Sequence, residues 1–229
     1  KVYLDLGINP QFATGGQHNA YFFVRPTDGK GMYFPWDMDF AFTQSETSSA
    51  VPGGIMSKFA GAPGNKRGYY GHLLDLCMTT FNTAYLTPWA EHYSQYMEDD
   101  LTSFMGYVNA RRNHILASIN SAIPPATFNI TTANGGSVAG PFATITGTAW
   151  VNMRELRTQG TNVPLTLNWV NDTTWQAQVP IVSGLNTITL VAYGFSGQVL
   201  GTDQVTVTGT GAGAGIIQIR EKTMPDREL

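Results

Sequence analysis

The chain has 229 residues, enough for one large or two ordinary domains that each bury a core. Charged residues make up only 13% of it, and its formal net charge is -3. The basic residues form no block longer than Arg111-Arg112. Nucleic-acid binding depends on a clustered basic face, so we expect no nucleic-acid partner. The chain contains no run of roughly 18 or more apolar residues, so we also expect no membrane span.

The first strong pattern along the chain is a predicted β-hairpin. Two short apolar strands, Ala20–Val24 and Gly31–Pro35, flank a turn at Pro26–Lys30. Two acids spaced one residue apart, Asp37 and Asp39, follow the second strand. Side chains alternate along a strand, so both carboxylates are expected on one face at the edge of the sheet. Two like charges this close disfavour joint ionisation unless a cation lies beside them, and Mg²⁺ prefers such oxygen ligands.

This stretch resembles the C-terminal half of the CotH (spore-coat protein H) kinase family. Members of that family share a His-Asn pair, two apolar strands around a turn, and a Pro-Trp-Asp-x-Asp motif. Here His18-Asn19 and Pro35–Asp39 stand at the matching positions. The resemblance covers roughly the first half of the chain and continues through three further segments: Arg67–Leu76, Thr87–Tyr96 and Tyr107–Ile119.

The resemblance implies an atypical protein kinase that uses ATP with Mg²⁺ or Mn²⁺ and phosphorylates protein hydroxyls. Asp39 would be a metal-binding aspartate, with Asp37 as a further ligand, direct or indirect. Asn19 would hold a second metal ion, and His18 would position its loop. The alternatives are two solvated acids at a strand end, a turn-forming Asn and a structural His.

Arg67 is a candidate cofactor-binding residue for a reason that does not rest on the family resemblance. It stands in a segment predicted as the loop before a helix, where a guanidinium could clamp a phosphate or carboxylate. Solvation at the protein surface is the alternative.

One feature departs from the family pattern. The family has an acid a few positions before the His-Asn pair, in the role of catalytic base, whereas residues 9–16 of this chain contain none. Loss of a base typically costs on the order of 10²–10⁴ in rate. Two functions therefore stay open: phosphoryl transfer in the intact parent protein, and an inactive structural or adhesive role at the cell surface.

We also expect the chain to be a fragment that is inactive alone. The family's N-terminal part, which carries most of the nucleotide pocket, has no counterpart in these residues. The expected partners are a protein substrate or cell-surface component and the remainder of the parent polypeptide. The low charge, the many Thr, Asn and Gly residues and the predicted β-module that follows favour a secreted or cell-surface protein, and the CotH resemblance implies a bacterial one.

Helical patterns follow the hairpin. Ser45–Asn65 is rich in Gly, Ser and Pro and predicts a long loop, and Gly68–Leu86 predicts a helix. We expect Thr87 to cap a second helix opened by Pro88, and Asp100 to cap a third. Within these helices Cys77 lies in an apolar run, which favours a buried structural thiol over a reactive one.

The composition changes at Pro124-Pro125 from aromatic and helical patterns to Thr, Val and Gly. We place a CotH-kinase-like C-terminal part at 1–122, an immunoglobulin-like β-sandwich at 126–209, and a linker and tail leading into a missing segment at 210–229. The predicted fold class is α+β.

Six β-branched runs separated by turn residues predict the sandwich: Thr127–Thr131, Phe142–Trp150, Val163–Val170, Thr173–Val179, Asn186–Tyr193 and Gln198–Thr208. The pattern resembles the Ig-like modules that follow CotH-type domains in bacterial surface proteins. A further option is carbohydrate binding by this part, with Trp150, Trp169 and Trp175 as stacking faces. That option requires two of the three rings to be exposed on one face.

Overall fold

A computed structural model describes residues 20–35, 42, 45–51, 55–62 and 64–211. Within these ranges the chain forms a two-stranded hairpin, then a group of helices, then two four-stranded sheets. This arrangement confirms the predicted α+β class. The kinase-like identity of the first part stays a prediction.

The hairpin consists of β1 (Ala20–Val24) and β2 (Gly31–Pro35), as predicted. The strands pair antiparallel, with Ala20 opposite Pro35 and Val24 opposite Gly31. At the closed end, the Arg25 amide donates to the Lys30 carbonyl at 2.9 Å, and Gly29 adopts a φ of 70° that favours glycine. The open end is therefore where the chain continues to Asn19 on one strand and to Trp36 on the other.

The helices are α1 (Ile55–Gly61), α2 (Asn65–Thr79), α3 (Thr83–Ser94), a 3₁₀ helix (Leu101–Phe104) and α4 (Met105–Ala122). They enclose a core whose fully buried members include Leu73 and Cys77 on α2 and Val108, Ile115 and Ile119 on α4. The segment predicted as a long loop contains α1.

The predicted helix boundaries need two corrections. The helix expected at Gly68–Leu86 ends at Thr79, because Asn82 accepts a hydrogen bond from the Tyr85 amide at 2.9 Å and starts α3. Pro88 accordingly lies inside α3, and the predicted start at Thr87 is wrong. Asp100 does cap the next segment, since its carboxylate accepts from the Thr102 amide at 2.9 Å.

A buried arginine joins α4 to the loop at 45–51. Arg111 is fully buried, and its guanidinium donates to the carbonyls of Glu46 at 3.0 Å, Ser48, and Ser49 at 3.4 Å. An unpaired buried charge would be costly, and these carbonyls offset part of that cost. The loop is thereby held against the helical core.

The second half of the chain is all β. Its strands are β3 (Asn129–Ile130), β4 (Gly136–Val138), β5 (Phe142–Thr148), β6 (Glu155–Thr158), β7 (Leu167–Trp169), β8 (Thr174–Pro180), β9 (Gly184–Tyr193) and β10 (Val199–Gly209). One sheet has the order β4-β10-β9-β6 and the other β3-β5-β8-β7. All pairs are antiparallel except β4 with β10.

Both sheets contribute alternating residues to one core, which confirms the predicted β-sandwich. Ile145 and Trp175 from one sheet and Leu156 and Leu190 from the other are fully buried. Trp175 fits because Gly147 stands opposite it, where a Cβ would collide with the indole. The interior is therefore packed from the two inner faces, as in sandwiches of the immunoglobulin and fibronectin kind.

Candidate functional site

Four predicted site residues, His18, Asn19, Asp37 and Asp39, lie outside the described residues, and their roles stay predictions. Among the residues that the structure does describe, no group of three or more His, Cys, Asp or Glu side chains could hold a metal ion. No helix within the described ranges is both long and apolar enough to cross a bilayer.

Arg67, the fifth predicted residue, lies in the first turn of α2 rather than in a loop, and it is 6% exposed. Its guanidinium enters the sandwich and donates to four carbonyls: Ala149 at 3.3 Å, Trp150, Met153 at 3.2 Å and Asp172 at 2.9 Å. Its Cζ also lies 3.4 Å from the ring centroid of Trp169. In this structure Arg67 therefore joins the helices to the sandwich. Its predicted contact with a cofactor stays a prediction.

Burial lowers the pKa of Arg67 to about 9, and the carboxylate of Asp172 opposes this change. The guanidinium is still protonated at neutral pH, because carbonyl dipoles and an aromatic face take the place of the water that it loses on burial. A neighbouring ion pair adds to the junction, since Lys66 Nζ lies 2.6 Å from the Asp172 carboxylate and 3.0 Å from the Ala122 carbonyl.

The backbone of α2 approaches the sandwich closely at Gly71, and this contact completes the junction between them. A Cβ on Gly71 of α2 would lie 2.8 Å from the Val151 carbonyl and 3.1 Å from the Phe195 ring. Val151 itself is 2% exposed and belongs to the helical core, although it lies in the sandwich sequence. The Trp150 indole donates to the Ile123 carbonyl at 2.8 Å. The helices and the sandwich thus share apolar packing as well as polar contacts.

His72 lies next to this junction. Its ring contacts the Phe195 ring edge to face, with centroids 5.1 Å apart, and Arg154 lies 5.3 Å from the same Phe195 centroid. Partial burial lowers the pKa of His72, the positive charge of Arg154 lowers it further, and Asp75 opposes both. His72 is therefore neutral at pH 7, and its protonation would bring a second positive charge toward Arg154.

Cys77 is fully buried, which confirms the prediction of a structural thiol. Burial raises its pKa to about 12, against the opposing charges of Arg112 and Arg111. The thiol is the weakly nucleophilic protonated form at neutral pH.

The three tryptophans of the sandwich do not form an exposed stacking face. Trp175 is fully buried and stacks on Phe128 at 5.9 Å, while one face of Trp169 is covered by Arg67. Trp150 is half-buried at the junction. Sugar binding through these three rings requires two of them to be exposed on one face, and the structure does not meet this condition.

Concave surfaces formed by described residues lie on and beside the sandwich. A groove of about 630 Å³ lies along β5, β7 and β8, lined by Phe142, Leu165 and Gln178 among others. A cleft of about 380 Å³ lies at the junction with the helices, between α2, α4 and the loop after β9. The cleft is lined by residues of both parts of the chain.

Sequence reasoning missed the residues that build this junction. Gly71 and Phe195 carry no local signal of their contact, because they stand more than a hundred positions apart in sequence. Arg111 stands out in the sequence only as part of one of its two adjacent basic pairs. Helical spacing in the apolar series Val108, Ile115 and Ile119 favours Arg112 as the residue that interrupts it, but the structure buries Arg111 there instead.

No protein-family model matches the chain, and no curated protein matches it. Among solved structures, the chain is similar to the fibronectin(III)-like modules of Clostridium thermocellum CbhA, at 19% sequence identity and a TM-score of 0.28. The match covers 38% of this chain and 99% of that chain.

Proposed function

We propose that this chain is part of an extracellular bacterial protein of the CotH-like kind, whose intact form transfers phosphate from Mg-ATP to protein hydroxyls. In this proposal Asp39 and Asn19 hold the metal ions, Asp37 supports Asp39, and His18 positions the loop of Asn19. Metals that bridge the phosphates and cations that offset their charge are what phosphoryl transfer requires.

The pairing of the hairpin is the observation that carries the proposal. Ala20 lies opposite Pro35, so both strands meet the flanking motifs at the same open end. Consecutive Cα atoms are about 3.8 Å apart, which keeps Asn19 within one such step of Ala20, Asp37 within two of Pro35 and Asp39 within four of it. The covalent chain therefore limits how far the proposed ligands can separate. A different register of the two strands would not have brought the flanking motifs together at one end of the hairpin, and the proposal would have lost this support.

Arg67 enters the proposal with a structural role in this chain. Its donors are directed at the carbonyls of Ala149 and Asp172 and at two others within the sandwich. The predicted role as a phosphate clamp would require these bonds to be exchanged for a ligand in the intact parent. We therefore assign the metal-binding chemistry to the hairpin end and the docking of the sandwich to Arg67.

The test is transfer of labelled phosphate from ATP by the intact parent, with and without Mg²⁺ or Mn²⁺. Asp39→Ala should abolish labelling, because it removes a proposed metal ligand. Asp28→Ala is the matched control, since Asp28 lies in the turn at the closed end of the same hairpin and pairs with Arg25. Equal activity in the two variants would contradict the proposal.

A second candidate is a catalytically inactive structural or adhesive cell-surface protein. The observation that favours it is the absence of an acid in residues 9–16, together with a sandwich held to the helices by a buried arginine. A folded parent that labels no protein with either metal, and whose Asp39→Ala variant behaves identically, would favour this candidate.

A further inference from the structure

The cleft at the junction has the size and position of a small-molecule site. Leu74 and Met78 of α2, Leu116 of α4, and Trp150 and Phe195 of the sandwich form its apolar walls. Sites of this kind commonly enclose about 300–1,000 Å³ and often lie between folded units. Because the walls come from both parts of the chain, the cleft requires the sandwich to be docked on the helices.

Contacts outside the cleft hold its two aromatic rings in place. The Trp150 indole is bonded to the Ile123 carbonyl at 2.8 Å. The Phe195 centroid lies 5.1 Å from the His72 imidazole centroid and 5.3 Å from the Arg154 guanidinium carbon. A ligand that packs on these rings would not have to order them, which removes part of the entropic cost of binding.

Polar side chains line the cleft beside these rings, namely the carboxylate of Asp75 and the amides of Asn120 and Asn152. Within the part of the chain that the structure describes, these three side chains make no hydrogen bond. Gln198 differs, since its carbonyl oxygen accepts from the Ser196 amide at 3.0 Å. A carboxylate and two amides thus offer both acceptors and donors to a molecule in the cleft.

The charges around the cleft restrict the class of ligand. Arg154 lies 5.3 Å from the Phe195 centroid and Arg112 lies 3.6 Å from the Met78 sulfur, so two positive charges stand beside the cleft without lining it. The carboxylate of Asp75 lines the cleft itself. Charges of both signs offset one another there, which favours a neutral ligand that both donates and accepts hydrogen bonds.

We propose that this cleft binds a neutral saccharide unit, whose hydroxyls bond to Asp75, Asn120 and Asn152 and whose apolar C–H face packs against Trp150 and Phe195. Hydroxyl groups act as donors and acceptors at once, which matches a mixed rim of carboxylate and amides. Apolar walls with a few convergent polar groups are the usual composition of such sites. The proposal uses none of the hairpin motif residues and does not depend on phosphoryl transfer.

The test uses the whole chain and three probes: glucose, galactose and N-acetylglucosamine at millimolar concentration. Binding is followed by the NMR shift of the Trp150 indole N–H, which reports on the wall of the cleft. We expect at least one sugar to shift this signal in a saturable manner. Asn152→Ala and Asp75→Ala should each weaken binding about tenfold, as expected for loss of one good hydrogen bond.

Asn168→Ala is the matched control, because Asn168 lies on the separate groove of the sandwich and not on the cleft. It should bind the sugar as the unchanged chain does. Circular dichroism spectra that match the unchanged chain show that each variant is folded. Failure of all three sugars to shift the signal, or unchanged affinity in both cleft variants, would overturn the proposal.

Discussion

The guanidinium of Arg67 lies 3.4 Å from the ring centroid of Trp169, although the two residues belong to parts of the chain with different secondary structure. One is in the first turn of a helix and the other is on an edge strand of the sandwich. The same guanidinium donates to carbonyls on both sides of β6 in sequence, at Met153 and Asp172. This arrangement makes the helices and the sandwich one interlocked unit.

Replacement of Arg67 by Met should destabilise the chain by roughly 3 kcal/mol or more. The change keeps much of the side-chain volume but removes the guanidinium donor from the buried carbonyls of Ala149 and Met153, and each such loss costs about 1–3 kcal/mol. Urea unfolding followed by tryptophan fluorescence measures the free energy. Arg25→Met in the hairpin turn, where the arginine is exposed, is the control and should change it little. Equal stability of the two variants would contradict the role of Arg67.

Alanine substitutions at two glycines of α2 should have opposite signs. A Cβ on Gly68 would meet no described neighbour within 4 Å outside its own helix backbone, so Gly68→Ala should stabilise the chain by roughly 0.5–1 kcal/mol through helix propensity. Gly71→Ala would place a Cβ 2.8 Å from the Val151 carbonyl, and overpacking of this kind costs about 1–3 kcal/mol. Thermal unfolding of both variants checks the pair. A gain in stability at Gly71 would show that the sandwich is not packed this closely.

Cys77 should resist alkylation by iodoacetamide at neutral pH in the folded chain. Burial and a pKa of about 12 leave little thiolate at the surface to react. Mass spectrometry should detect the modified peptide only after denaturation in urea. Rapid labelling of the native chain would contradict the burial of this thiol.

His72 should make the chain less stable as the pH falls below 6.5. The folded-state pKa of His72 is lower than its unfolded value of 6.5, so the unfolded chain takes up the proton first. The stability associated with neutral His72 is present above this pH and is lost toward the folded-state pKa. Melting temperatures of the unchanged chain and of His72→Gln, compared on both sides of this pH, isolate the contribution. A pH dependence that is the same in both proteins would exclude it.

The β half of the fold could be predicted from alternation of apolar residues. β5, β8, β9 and β10 have long alternating stretches, and their predicted positions agree with the structure within a few residues. β6 was missed because Glu155 and Arg157 flank its one fully buried residue, Leu156. β4 was missed because three residues, Gly-Ser-Val, are too short to show a period.

The helical half was less predictable, because caps and distant contacts determine it. Asn82 begins α3 more than a full turn before the Thr87–Pro88 signal, and a polar residue in a loop gives only a weak local signal of a cap. The partners of Arg67 lie 82 or more positions away in sequence. Sequence periodicity reflects contacts between residues only a few positions apart, so the burial of Arg67 could not be predicted from the residues next to it in the chain.

The most direct measurement of the proposed chemistry is Mn²⁺ binding by the intact parent, followed by electron paramagnetic resonance in the presence of ATP. We predict that the unchanged protein and Asp28→Ala bind Mn²⁺ with ATP, whereas Asp39→Ala does not, because the proposal makes Asp39 a ligand of that metal ion. Equal Mn²⁺ binding by all three proteins, or binding by none of them when they are folded, would contradict a metal site at Asp39.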